Sequence, residues 1–68
     1  MKTTTAADDQ VFAARWEIDN ARGHLDTAAC QISDAVGYLD DARRARAAEI
    51  LDRVSAALVE LDRLRRAL

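Results

Sequence analysis

The chain of 68 residues contains no proline, two glycines, one cysteine and one histidine. A single cysteine cannot form a disulfide within the chain, and one cysteine with one histidine cannot supply the four ligands of a structural zinc site. Without proline and with little glycine, few positions would interrupt a helix. Small domains that lack disulfides and metals are often stabilised by association, so we expect copies of this chain to associate.

The chain lacks the sequence motifs that are typical of several functional classes. The chain has no glycine-rich phosphate loop, no Glu-x-x-His pair of the di-iron type, and no signal peptide or apolar run long enough to span a bilayer. We therefore predict no catalytic residue, no cofactor, no metal, no membrane association and no enzymatic activity. The lone cysteine and the missing export signal predict a cytoplasmic protein. The net charge of −2 makes nucleic acid an unfavourable partner for the whole chain.

Alanine and arginine dominate what is present. Fifteen alanines and nine arginines favour helix throughout, which predicts an all-α fold. The excess of arginine over lysine is typical of GC-rich bacterial or phage genomes.

The first half of the chain repeats every seven residues. A large aliphatic residue and an alanine three positions later predict one long helix over about 6–38, in which Gly23 does not break the register. Thr5 would cap the helix with Asp8, after a flexible tail over 1–5. The repeat consists of Val11, Ile18, Leu25, Ile32 and Leu39, followed by Ala14, Ala21, Ala28, Ala35 and Ala42.

The register slips after Ala42, which predicts a turn near Leu39 and Asp40 and a second helix over about 41–67. Gly37 would end the first helix in the left-handed C′ conformation, and Asp40 or Asp41 would cap the second. The alternative is one continuous helix that dimerises as a coiled coil. The predicted contact line of the second helix is Ala47, Ile50, Val54, Ala57, Leu61, Leu64 and Leu68.

The two halves are complementary in charge and in side-chain size. Residues 1–40 carry a net charge of −4 and residues 41–68 a net charge of +2, so the helices attract each other when they fold back. In this arrangement the alanines of the first helix face large residues of the second. Because one hairpin cannot cover every apolar residue, we predict a single domain over 1–68 that forms a homodimeric four-helix bundle. This architecture resembles that of the Rop-type hairpin dimers, although the chain carries no motif of that family.

A second line with a seven-residue period is the candidate partner surface. Phe12 and Trp16 lie one turn apart, and the line from Trp16 continues through Gly23, Cys30 and Gly37. Large aromatics followed by small residues are suited to anchoring a helix or an edge of another protein. The alternative is that both aromatics fold as a lid over the open end of the bundle.

Arg43, Arg44 and Arg46 form a second candidate site, for an acidic partner or for phosphate. The alternative is a solvated turn in which Asp40 and Asp41 compensate the charge. No aromatic residue lies among these arginines, so the stacking pattern of single-strand binding is absent.

His24 is a third candidate. The run His24-Leu25-Asp26-Thr27 loosely resembles the phosphoacceptor motif of sensor-kinase phosphotransfer hairpins. It departs from that motif in having Leu25 directly after the histidine and no proline beyond.

The preferred interpretation is a small non-enzymatic helical protein that binds another protein as an adaptor, inhibitor or modulator. A nucleic-acid-binding dimer and a phosphotransfer hairpin are the alternatives.

Overall fold

The computed structural model describes the backbone of residues 2–68 and the side chains of residues 8–68. It contains two helices, α1 over Lys2–Val36 and α2 over Asp41–Ala67, which pack against each other as a hairpin. Because α1 begins at Lys2, residues 2–5 of the predicted tail are helical, and Thr5 lies inside α1 rather than at its N-cap. Met1 lies outside the described residues. Neither helix, over its described residues, is long and apolar enough to cross a bilayer.

A short turn over 37–40 reverses the chain. The backbone N–H groups of Gly37, Tyr38 and Leu39 each donate to the carbonyl three residues earlier, which tightens the end of α1 into a 3₁₀ turn. No described residue has a positive φ. The prediction that Gly37 adopts the left-handed C′ conformation is therefore wrong, because the 3₁₀ bonds satisfy the last carbonyl groups of α1 without it.

Asp40 begins α2 as predicted. Its backbone is extended, and its side chain accepts a hydrogen bond from the backbone N–H of Arg43 at 3.0 Å. This bond satisfies one of the N–H groups that lack a partner at a helix start. At the other end, Arg65 and Arg66 lie in the last turn, where positive charge is favourable beside the helix C-terminus.

The contact line of α1 differs from the prediction. The large aliphatics of the heptads are half-buried, and so are Ala14 and Ala28, but a residue four positions after each of the first four aliphatics is half-buried as well. Ala21 and Ala35 are exposed, although the sequence predicted that they would face α2. The half-buried residues that alternate at spacings of four and three are Val11, Arg15, Ile18, Arg22, Leu25, Ala29, Ile32 and Val36.

The contact line of α2 also includes residues that lie four positions, rather than three, after Ala47 and Val54. Leu51 and Leu58 lie in the contact line, whereas Ile50 and Leu64 are 40% and 50% exposed. Ala57 stays half-buried beside the two leucines, and arginines at the interface reach carboxylates on the other helix. The contact line consists of Ala47, Leu51, Val54, Leu58, Leu61, Arg65 and Leu68.

Burial between the helices is shallow. Among the described side chains only Ala47, at 9% exposure, is buried, and no large side chain is fully enclosed. The hairpin measures 61 × 15 × 11 Å between its Cα extremes and exposes 5392 Å². A compact monomer of this mass exposes about 4,200 Å². The two helices thus leave both broad sides of the hairpin open.

Candidate interaction surfaces

Phe12 and Trp16, which we call the aromatic patch, are 69% and 59% exposed. Arg15 of α1 lies beside the C-terminal end of α2, because its guanidinium donates to the backbone oxygen of Leu68. Phe12 lies one turn beyond that point, where α1 extends past α2. The aromatic patch therefore lies open at the end of the hairpin.

The line that follows Trp16 along α1 is also open. A Cβ atom added at Gly23 would meet nothing within 4 Å, and the thiol of Cys30 is free and exposed. Gly37 lies beyond the end of α1, in the turn. The structure thus places Trp16, Gly23 and Cys30 along one helix surface, with Gly37 displaced from it.

Two ion pairs join the helices on one side of the hairpin. Arg22 donates from Nε to Asp62 at 2.6 Å, and Arg65 donates from Nε to Asp19 at 3.1 Å. Arg22 also pairs with Asp26, one turn away on α1, at 2.8 Å. The predicted charge attraction between the halves is realised by Asp19 with Arg65, while Arg22 with Asp62 has the opposite polarity.

The Arg22–Asp62 contact shifts the pKa of both side chains in the direction that favours their charged forms. The hydrogen bond from Arg22 lowers the pKa of Asp62, and the charges of Arg22 and Arg66 act in the same direction against desolvation. The hydrogen bond and the charge of Asp62 raise the pKa of Arg22, with a further contribution from Asp26. The ionised pair is thereby favoured in the folded hairpin.

The arginines near the turn each have an acceptor within the chain. Arg43 lies 3.7 Å from Asp40, and Arg46 lies 3.0 Å from Glu49. Arg44 donates to the backbone carbonyl of Leu39 at 3.0 Å. These contacts support the interpretation of a solvated turn with local charge compensation, in which Asp40 takes part.

His24 is exposed on α1, on the opposite edge of the helix from Asp19 and Asp26. The described residues hold no group of three or more histidine, cysteine, aspartate or glutamate side chains that could bind a metal ion. They also form no pocket. Within the described part of the chain, the surfaces that remain for interaction are therefore open sides of helices.

One surface was not predicted from the sequence, because the heptad pattern placed the alanines of α1 between the helices. The ion pairs put the edge of α1 that carries Asp19 and the edge of α2 that carries Asp62 on the same side of the hairpin. The edges that carry the alanines and Ile50 therefore share the opposite side. We call this side the alanine face: Ala14, Ala21, Ala28 and Ala35 of α1 with Ile50, Ala57 and Leu64 of α2. Ala14, Ala28 and Ala57 are half-buried at its inner edge, and the other four residues are exposed.

The large leucines at 51 and 58 were the signal for this surface. They lie four residues after Ala47 and Val54, so a contact line at spacings of four and three includes both and turns the alanines toward its edge. Comparison of the chain with protein-family models, with curated proteins and with solved structures finds no match.

Proposed function

We propose that the chain is a non-enzymatic helical protein that forms a homodimer and acts by binding another protein through the aromatic patch. The exposure of Phe12 and Trp16 is the observation that carries this proposal. Aromatic side chains contribute most of the binding energy at many protein interfaces, because they remove a large apolar area from water. An exposed pair one turn apart is a costly arrangement for a chain that has no partner for it.

The surroundings of the aromatic patch favour a helix as the bound element. The small residues Gly23 and Cys30 continue from Trp16 along α1, and the open space at Gly23 permits close approach of another backbone. An amphipathic partner helix with apolar anchors fits this surface in shape.

The homodimer is supported by how little the hairpin buries. Ala47 is the one buried residue among those described, and the exposed apolar residues on the alanine face cannot be covered within one hairpin. A second copy supplies the missing contact without any further component.

Trp16 is the only tryptophan, so its fluorescence tests the proposal directly. Proteins captured from the source cell by the wild type are compared with those captured by Phe12→Ala/Trp16→Ala. Tyr38→Ala, which removes an exposed aromatic from the turn, serves as the matched control. We expect the double variant alone to lose a captured protein, and that protein, once purified, to shift the emission of Trp16 to shorter wavelength. The proposal is wrong if the double variant keeps the wild-type thermal midpoint and every partner, or if Trp16 emission does not change on binding.

A further inference from the structure

We infer that the alanine face is the interface of a symmetric homodimer in which each helix packs antiparallel against the same helix of the second copy. This inference rests on the homodimer of the proposed function and specifies its surface and orientation. It begins from the apolar residues that the hairpin leaves uncovered. Ile50 and Leu64 are 40% and 50% exposed, and the alanines beside them are small enough to let another helix approach closely.

The alanine face is self-complementary under a two-fold axis. On α1, the four alanines are evenly spaced about a centre next to Leu25, so Ala21 would meet Ala28 of the second copy. On α2, Ile50 and Leu64 each lie seven residues from Ala57, so Ile50 would meet Leu64 of the second copy. A two-fold interface requires this kind of matching, because both copies contribute the same patch.

One axis can serve both helices because of their register in the hairpin. From Asp19 to Arg22 the chain advances three residues, and the paired residues on α2 go back three, from Arg65 to Asp62. Three residues further along α1, Leu25 is therefore level with Val59 of α2. Val59 is two residues from Ala57, a rise of about 3 Å. The centres of the two apolar patterns therefore lie within one helical turn of the same height.

Charges at the edge of the alanine face fit the same orientation. Arg53 and Glu60 lie on the outer edge of α2, and neither forms an ion pair with a described side chain of its own hairpin. When α2 packs antiparallel on its copy about Ala57, Arg53 faces Glu60 of the second copy, and Glu60 faces Arg53. The opposite charges thus meet twice in each dimer.

The alanine face extends about 32 Å along α1, from Ala14 to Ala35, across a hairpin that is 15 Å wide. The product is a four-helix bundle in which every neighbouring pair of helices is antiparallel. The aromatic patches then lie on the two outer sides, near opposite ends and roughly 30 Å apart along the bundle, so that one dimer presents two equivalent partner surfaces.

The first test is the concentration dependence of the molar mass, measured by light scattering and sedimentation equilibrium. We expect Ala21→Glu to weaken the dimer by about a hundredfold or more, because it buries an unpaired charge at the interface. The neighbouring Asn20→Glu adds the same charge on the side away from the alanine face and should leave the dimer unchanged. Because Ala21 is exposed in the hairpin, helical content should be retained in both variants.

A charge exchange tests the orientation. We expect Arg53→Glu to weaken the dimer by about tenfold, because it sets like charges opposite each other at two places. Arg53→Glu/Glu60→Arg restores opposite charges and should recover most of the lost affinity. A double variant that remains as weak as Arg53→Glu overturns the antiparallel arrangement of the α2 helices.

Cross-linking tests the contact between the α1 helices. In the background Cys30→Ser, the variant Ala21→Cys/Ala28→Cys should form disulfide-linked dimers on mild oxidation. The two sulfurs of one chain cannot pair with each other, because positions seven residues apart on a helix are about 10.5 Å apart. Asn20→Cys/Thr27→Cys, with the same spacing on the outer side, is the control. Equal cross-linking of both variants overturns the inference.

The emission of Trp16 separates this inference from the broader proposal. On dilution from dimer to monomer we expect its wavelength to stay constant, because the aromatic patch lies outside the interface. A dimer that withstands Ala21→Glu but dissociates in Phe12→Ala/Trp16→Ala overturns the inference and leaves the homodimer standing. A chain that is monomeric at every concentration overturns the inference and the homodimer together, while partner binding by the aromatic patch is still decided by its own experiment.

Discussion

Arg22 of α1 and Asp62 of α2 form a direct connection between the two helices, with 2.6 Å between the Arg22 Nε and the Asp62 Oδ1. The contact depends on a rotation of both helices relative to the predicted contact lines. Arg22 lies four residues after Ile18, in the contact line of α1, and its guanidinium reaches the edge of α2. The same arrangement is repeated by Arg65, which lies in the contact line of α2 and reaches Asp19 on the edge of α1.

The Arg22–Asp62 pair makes hairpin stability depend on pH in the acid range. The folded state lowers the pKa of Asp62, whereas an unfolded aspartate titrates at about 3.9. The stabilisation is therefore complete above that value and is lost as the pH falls through the lower folded-state pKa. We expect Asp62→Asn to have a lower thermal midpoint than the wild type at pH 7, and the difference to shrink below pH about 4.

The matched control for this prediction is Asp52→Asn. Asp52 lies on α2 and makes no ion pair with a described side chain, so its neutralisation changes the net charge equally without removing a contact. Circular dichroism at 222 nm over a pH series supplies the midpoints. A deficit of Asp62→Asn that persists unchanged into strong acid would show that the pair does not account for it.

The cap of α2 is a second place where one side chain stabilises the hairpin. Asp40→Ala removes the acceptor of the Arg43 backbone N–H, and we expect it to reduce the free energy of unfolding by about 1 kcal/mol. Asp40→Asn retains a capping oxygen and should preserve most of that stability. Chemical denaturation of the three proteins measures the difference. Equal losses in both variants would mean that the charge of Asp40 matters and its cap does not.

Ala47 tests the closeness of the two helices. Because it is the buried residue of the described chain, we expect Ala47→Leu to destabilise the hairpin by about 1–3 kcal/mol through overpacking. Ala48→Leu places the same side chain on the exposed neighbouring position and should change stability by no more than about 0.5 kcal/mol. Thermal and chemical unfolding compare the two. Similar stability of both variants would show that the helices are not in close contact at Ala47.

Gly23 leaves room for a stabilising substitution. Its added Cβ would meet nothing within 4 Å, and alanine is favoured over glycine inside a helix by about 0.8–1.0 kcal/mol. We expect Gly23→Ala to raise the free energy of unfolding by that amount. Gly37→Ala, whose added Cβ would make an ordinary 3.5 Å contact with the Asp34 carbonyl, should be close to neutral because φ is not positive there. A clear loss of stability in Gly37→Ala would contradict the 3₁₀ turn.

The helices themselves could be predicted from the sequence, because heptad spacing and capping are local. The slip of the register after Ala42 indicated a second helix, and Asp40 caps that helix as one of the two predicted residues. The contact line could not be predicted in the same way. Positions three and four residues after a large aliphatic both lie beside it on a helix, so the sequence pattern allows either one to face α2.

Heptad spacing and the Asp40 cap are enough to predict two amphipathic helices and the start of α2. Which edge of each helix is covered is evident only from the packed hairpin, because it depends on the partial burial of Leu51 and Leu58 and on the pairing of Arg22 with Asp62. The same packing left the alanine face open opposite the ion pairs. Local spacing fixes a helix, whereas the rotation of one helix against another is set by long-range contacts that no single segment contains.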